Sequence, residues 1–289
     1  MTKKYKNLAL QGGGVWGITY AGAIAELDRL GVLQHIERVA GTSAGSIVAL
    51  LVALRYTGEE IHQVIEALDY SKFLDGGKID QVARQYGYYK SNFASELFRG
   101  WVQEKLGAEG ATFTDLTDAG GRDLKVYATN LNTRQIFEFS QYKTPNVALV
   151  DAVRASMSVP LFFTAVEIEK RIYVDGGAVF DYPIMGFGKD EIEFTLGLAF
   201  AQSSSVARED PDDGGFGYNQ PLQYIRRLVN VLERVQSPVF ALDDGLQENT
   251  ILIDTGGINS LNFKLSSEHK SALIDNGRRA VREFFGEKL

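Results

Sequence analysis

The pentapeptide Gly41-Thr42-Ser43-Ala44-Gly45 stands where a short apolar stretch, Arg38-Val39-Ala40, gives way to a run from Ala44 to Leu54 that reads as a buried helix. This is G-x-S-x-G at a strand-to-helix turn, with flanking residues small enough for the chain to bend sharply. Such a turn forces the serine into a strained backbone conformation and projects its hydroxyl at the helix N-terminus. Unpaired N–H groups and the positive end of the helix dipole favour negative charge there, which is what a developing oxyanion needs. The same residues also suit a plain Thr/Ser cap on a core helix, so the pentapeptide alone leaves both readings open.

A second glycine cluster lies upstream. Gln11-Gly12-Gly13-Gly14-Val15-Trp16-Gly17 follows the apolar strand candidate Asn7-Leu8-Ala9-Leu10 and precedes a helical pattern carried by Ile18, Ala21, Ile24, Ala25 and Leu27. Glycines let bare backbone N–H groups point into a pocket, so strand, glycine loop and helix make an anion cradle. Two such turns on neighbouring strands would converge, one carrying a nucleophile and the other oxyanion donors. Gly12, Gly14 and Gly17 also spell G-x-G-x-x-G, the dinucleotide fingerprint. That fold wants an acidic residue at the end of the second strand, which here ends in Ala40-Gly41-Thr42-Ser43, with Glu37 before the strand rather than after it.

A third small-residue turn, Tyr173-Val174-Asp175-Gly176-Gly177, follows the strand candidates Phe163 to Ile168 and Arg171 to Val174. Asp-Gly is a common hairpin signal. The chemical alternative is a carboxylate at a strand end, able to reach Ser43. A serine hydroxyl is a poor nucleophile until a base takes its proton, and a partly shielded aspartate can do so.

Taken in order, GGGVWG, GTSAG and DGG resemble the three signature motifs of the patatin-like phospholipases, and the likeness covers roughly residues 6 to 200. The stretch Asp151 to Pro160 is similar to the family's helix and proline turn ahead of the aspartate, and Val126 to Asn132 to its middle strand. The resemblance implies a three-layer patatin-like α/β fold, with a mainly parallel or mixed central sheet and helices on both faces. It implies a Ser-Asp dyad without histidine, Ser43 as nucleophile and Asp175 as general base. It also implies an oxyanion hole from backbone N–H groups of Gly12, Gly13 and Gly14, helped by Ala44, with Gly17, Gly41, Gly45, Gly176 and Gly177 supporting the turns. The implied activity is phospholipase A or lysophospholipase-like hydrolysis of lipid esters, with no cofactor and no metal. The chain departs from the family twice: Trp16 stands where a basic residue is usual, and Asp181 where Asn commonly precedes Tyr-Pro. A triad of Ser43, Asp175 and His269 would suit an α/β-hydrolase order, but this serine follows the second strand candidate, too early for that fold. His35, His62 and His269 all sit in polar contexts that read as surface.

Composition sets outer bounds. The 289 residues, 45% hydrophobic and 23% charged, suit one large α/β domain over 1–289, with C-terminal helices over 221–289 completing it. No apolar run approaches the roughly 20 residues that span a bilayer, and the basic start, Met1 to Lys6, lacks a secretory apolar region, so the expected location is cytoplasmic. With no cysteine there is no disulfide or thiolate metal site. A net charge of −7 argues against nucleic-acid binding and against simple electrostatic attraction to anionic membranes. The expected partner is a lipid or phospholipid ester, with transient contact to a membrane surface and a protein activator left open.

Between the motifs, residues 58 to 107 read as helices, with Ser71 to Gln85 interrupted by Gly76-Gly77 and Tyr86 to Tyr89 as a loop or packed connector. Strands are expected at Leu124 to Leu131, Ile136 to Ser140, Phe194 to Phe200 and Thr250 to Asp254. The run Ala201 to Gly217 is polar and rich in breakers. Leu222, Ile225, Leu228, Val229, Leu232 and Val235 form one helical stripe within Pro221 to Leu242, either packed on the core or serving as a lid or membrane contact. An amphipathic helix, Glu268 to Phe285, closes the chain. Two other functional classes remain open: a non-catalytic lipid- or protein-binding scaffold on the same fold, and an NAD-binding oxidoreductase.

Overall fold

Alternation in the first strand sets the frame. In Asn7–Leu10 (β1), Leu8 and Leu10 belong to one apolar cluster and Ala9 to another, on opposite faces of a sheet. The computed structural model describes residues 5–201, 220–236 and 244–286. Within them, β1 is followed by α1 (Thr19–Arg29), β2 (Arg38–Thr42), α2 (Ala44–Ala53), α3 (Gly58–Ala67), α4 (Ile79–Gln85), β3 (Gly87–Tyr89), α5 (Asn92–Leu106) and α6 (Phe113–Asp118). Next come β4 (Asp123–Asn130), β5 (Gln135–Ser140), α7 (Leu149–Ser156), β6 (Leu161–Phe163), β7 (Val166–Ile168), β8 (Arg171–Asp175) and β9 (Thr195–Ala201). The chain closes with α8 (Pro221–Gln236), α9 (Asp244–Gln247), β10 (Thr250–Asp254) and α10 (Ser267–Phe284).

The main sheet is mixed. In the order β10-β9-β1-β2-β4 all neighbours are parallel, while β8, β7 and β5 run antiparallel to the strands they pair with. From β1 the chain moves one way to β2 and β4, then returns to β9 on the other side. β1 is therefore the switch point where open α/β sheets place ligands, beyond the C-terminal strand ends. The two faces are covered unequally. Leu8, Leu10, Val39, Leu124, Val126 and Leu198 pack under the helical layer that includes α1, α2, α3, α7 and α10. Ala9, Ala40 and Tyr127 meet the thinner cover of the 3-10 turn Pro183–Phe187 and α9.

Most of the expected elements lie within a residue or two of their places. Two do not. Phe163 to Ile168 is two strands: β6 pairs with β3 in a separate two-stranded sheet, and β7 joins the main sheet. Of Tyr86 to Tyr89, expected as a loop or packed connector, Gly87–Tyr89 is a strand of that small sheet, with the Tyr89 ring packed on Phe162 and Phe163, and Tyr86 caps α4. The sequence hides this pairing because its partners lie more than seventy positions apart and each strand is only three residues long. The breaker-rich run after Ala201 lies outside the described residues, as does the end of the helical stripe beyond Gln236.

Arg122 joins the elements that flank the serine turn. Buried, it donates to the carbonyls of Ile36 (2.8 Å), Val52 (2.6 Å) and Leu33 (3.1 Å), tying the approach to β2 and the end of α2 to the start of β4. Burial pushes its guanidinium down to about 10, still charged at neutral pH. Arg122→Leu strips three buried acceptors of their donor. It is expected to lower the unfolding free energy by about 3 kcal/mol in urea titration; a loss below about 0.5 kcal/mol would show that these carbonyls find other donors.

Candidate active site

Ser43 occupies the turn between β2 and α2 at φ 51° and ψ −126°, in the positive-φ region that a residue with a side chain rarely adopts. Two close approaches hold it there. A Cβ on Gly41 would stand 2.4 Å from the Gly45 carbonyl, and one on Gly45 would stand 2.3 Å from the Leu10 carbonyl, so this tight turn admits only glycine at both positions. The Ser43 N–H donates to Ser156 Oγ (2.9 Å), which donates to the Tyr127 carbonyl (2.6 Å), and the Ser43 carbonyl accepts from Ser46 Oγ (2.6 Å). The side chain, 7% exposed, donates from Oγ to Asp175 Oδ2 at 2.6 Å.

Asp175, 4% exposed, ends β8 opposite Ala128. Its other carboxylate oxygen accepts from the Gly177 N–H at 2.7 Å, its own N–H donates to the Ser158 carbonyl at 2.8 Å, and its carbonyl accepts from Thr129 Oγ1 at 2.9 Å. The DGG segment is thus the start of a 3-10 turn, Gly176–Ala178, and not a hairpin. Behind it, the buried Arg154 donates to Ser158 Oγ, to Thr164 and to the Lys90 carbonyl. Burial lowers that guanidinium to about 10, against the pull of Asp75.

Residues 11–14 leave β1 beside this pair, and their amides are not equivalent. Gly12 N–H donates to the Asp181 carbonyl (3.0 Å) and Val15 N–H to the Ser260 carbonyl (2.8 Å). Gly12 is thereby corrected as an oxyanion donor, because its only amide hydrogen is already used. Among the described residues, the amides of Gly13, Gly14 and Ala44 have no such partner, and Gly14 reaches its orientation at φ +56°. Gly17 packs against Ala44, where a Cβ would be 3.0 Å away. Trp16 faces the loop that follows β10: its Nε1 donates to the Ile258 carbonyl (2.6 Å) and its ring meets Phe200 edge-on. Asp181 Oδ2 accepts from Gln11 Nε2 at 2.8 Å, a contact not foreseen from sequence because the two residues lie 170 positions apart.

Around these groups lies a cleft, partly open to solvent, walled by Ile47, Phe73, Met157, Phe163, Val229 and Phe263 among others. Ile225 and Val229 of α8 are buried while Tyr224 is exposed, so the helix packs on the turn after Asp175 and on β6. The side chains of Leu232 and Val235 lie outside the described residues. The three histidines stand elsewhere: His35 and His269 are exposed, and His62 lies half-buried between Glu66 and Arg278. Among the described residues, no group of three or more His, Asp or Glu side chains is arranged to hold a metal ion, and no helix is long and apolar enough to cross a membrane.

The chain belongs to the patatin-like phospholipase family, whose profile matches residues 8–187. It is 27% identical to the uncharacterized protein YqhO of Bacillus subtilis, over 97% of this chain and 98% of that one. It is 26% identical to a cGAMP-activated phospholipase of Escherichia coli, over 61% of this chain and 52% of that protein. Among solved structures, VipD from Legionella pneumophila superposes with a TM-score of 0.71 at 18% identity, covering 98% of this chain and 67% of that one, which places the fold.

Ser156 carries the hydroxyl that links the serine turn to β4. Ser156→Ala leaves the Ser43 N–H and the Tyr127 carbonyl buried without their shared partner. It is expected to cost about 1–3 kcal/mol of stability by urea titration, with circular dichroism unchanged; an unaltered midpoint would remove this bridge from what holds the turn.

Proposed function

We propose that this protein is a serine acyl hydrolase that cleaves carboxylic esters of lipids, with Ser43 as nucleophile and Asp175 as general base. The observation that carries the reading is the 2.6 Å hydrogen bond from a serine held at positive φ to a buried carboxylate, at the wall of an apolar cleft. As Oγ attacks the ester carbonyl carbon, Asp175 Oδ2 accepts its proton. The carbonyl oxygen becomes an oxyanion facing the amides of Gly13, Gly14 and Ala44, preorganised donors at the end of a strand and the start of a helix. Collapse breaks the ester C–O bond, and the alcohol leaves with the proton from Asp175. Water then attacks the acyl-enzyme, Asp175 takes its proton, and the fatty acid departs as Ser43 recovers its hydrogen. Family membership and relatives named as phospholipases support lipid esters as the substrates. No step calls for a cofactor.

The test is hydrolysis of a fluorogenic acyl ester, together with labelling by a fluorophosphonate, for wild type, Ser43→Ala and Asp175→Asn. Wild type is expected to do both. Ser43→Ala should do neither, and Asp175→Asn should fall by on the order of 10²–10⁴ in turnover while remaining folded. A folded wild type that ignores both reagents would sink the proposal and favour a binding scaffold.

A further inference from the structure

The cleft is polar at its glycine turns and apolar along the rest of its wall, and the apolar part has an end. Ile47 stands one turn into α2 from Ser43, so the apolar wall begins beside the nucleophile. The same wall includes Tyr70 and Phe73, from the 3-10 turn Tyr70–Phe73, and Phe263, from the segment after β10. Phe263 is 8% exposed and held by three rings. It stacks on Phe162 (ring centroids 5.8 Å apart, 21° between planes), meets Phe163 edge-on (5.8 Å, 86°) and lies tilted against Phe73 (6.2 Å). Tyr70 stacks on Phe73 at 5.9 Å, and Phe73 meets Phe93 edge-on at 5.3 Å. Lys270 Nζ lies 6.0 Å from the centre of the Tyr70 ring and is itself fixed by the carbonyls of Glu66 (2.8 Å) and Leu68 (3.0 Å). Tyr70 and Phe263 also line a second pocket, together with Leu68, Lys264, Leu265 and Lys270. These two rings border both cavities, and so form the partition between the cleft that holds Ser43 and the outer pocket.

Resting on the hydrolase reading above, we infer that this partition is the stop for the acyl chain. The site selects lipid esters by acyl length, and Phe263 with Tyr70 sets the limit. An ester whose carbonyl carbon bonds to Ser43 Oγ lays its hydrocarbon tail along the apolar wall that starts at Ile47. Each methylene withdrawn from water there strengthens binding by about fourfold. The gain continues until the terminal methyl reaches the rings. A further methylene then has to displace a ring packed against three others or fold back toward water. A packed aromatic cluster does not admit an extra methylene without strain. Trimming Phe263 opens the cleft toward the outer pocket, because the space that a removed ring leaves in a packed site closes only in part.

The experiment measures kcat/KM for a series of p-nitrophenyl esters from butyrate to stearate, all in the same neutral detergent micelles. Wild type is expected to gain with each added methylene, by up to about fourfold, and then to level off or fall at one chain length. Phe263→Leu and Phe263→Ala are expected to move that break to longer chains. Their preference for an ester just past the wild-type break, over the ester at the break, should exceed that of wild type by about tenfold, the worth of roughly two methylenes. Tyr70→Leu, at the half-buried edge of the same partition, carries the same expectation where the Phe263 variants fail to fold. Lost packing alone would lower all esters together and leave the break where it was, and that result would overturn the inference. So would a wild-type rate that climbs through stearate without a break, whatever the variants do. A wild type that hydrolyses none of the esters and ignores a fluorophosphonate overturns the hydrolase reading and this inference with it.

Discussion

Two strands that share one edge of a third determine everything near Ser43. β5 occupies one side of β4 from Lys125 to Asn130. The other side is divided: β2, parallel, pairs as far as Thr42 opposite Tyr127, and β8, antiparallel, takes over with Asp175 opposite Ala128. The two strands therefore run toward each other along the same edge and end at adjacent positions. Ser43 is the next residue after Thr42, so the serine and the aspartate meet because the backbone ladder brings them together. Groups held by strands keep a tighter geometry than groups held by loops. The space at the junction is small: a Cβ on Gly176 would stand 2.3 Å from the Tyr127 carbonyl.

That junction has an energetic cost, since a serine at φ 51° carries strain of about 1–3 kcal/mol. The surroundings offset it with hydrogen bonds to both sides of the residue, one from its N–H to Ser156 and one to its carbonyl from Ser46. Ser156 has a double role, because its own proton goes to the Tyr127 carbonyl, freed at the point where β2 stops. The interruption that allows the two strand ends to meet thus leaves an acceptor unpaired, and one hydroxyl from α7 closes both gaps. Arg154, two residues earlier on α7, reaches Ser158, whose carbonyl holds the Asp175 N–H. A single helix therefore braces both members of the pair.

How legible this was depends on the distance over which each interaction acts. The GTSAG turn could be read directly, because small residues between an apolar strand and an apolar helix permit few other conformations. Strand positions β1, β2, β4, β8 and β10 followed from local pattern for the same reason. Asp175 was different: an Asp-Gly pair by itself suits a hairpin as readily as a strand-end carboxylate within reach of Ser43, and the resemblance to a family favoured the second. The three glycines of the first loop read alike in sequence, yet the structure separates them, since what distinguishes Gly12 from Gly13 is the Asp181 carbonyl, a partner more than 160 positions away. The short β3–β6 pair escaped for the same physical reason. Long-range contacts of short segments leave almost no periodic trace.

In the proposed mechanism an oxyanion in this cleft would be held by backbone dipoles, whose strength depends on orientation. The orientation of the first glycine loop is set largely from outside the residues that the family profile matches. Ser260 accepts from the Val15 N–H, Ile258 accepts from the Trp16 indole, and Phe200 packs on Trp16 while its N–H holds the Gln11 side chain. Val229, Leu261 and Phe263 complete the apolar wall. The motifs carry Ser43 and Asp175, and the segment after residue 187 supplies partners that hold the glycine loop beside them. Trp16 fits this arrangement: a side chain that is large, neutral and able to donate one hydrogen bond joins the glycine loop to the loop after β10, a connection a solvated basic side chain would make less rigidly. The two departures from the family pattern, Trp16 and Asp181, both hold the glycine loop in place, Trp16 through the Ile258 carbonyl and Asp181 through the Gly12 N–H and the Gln11 side chain.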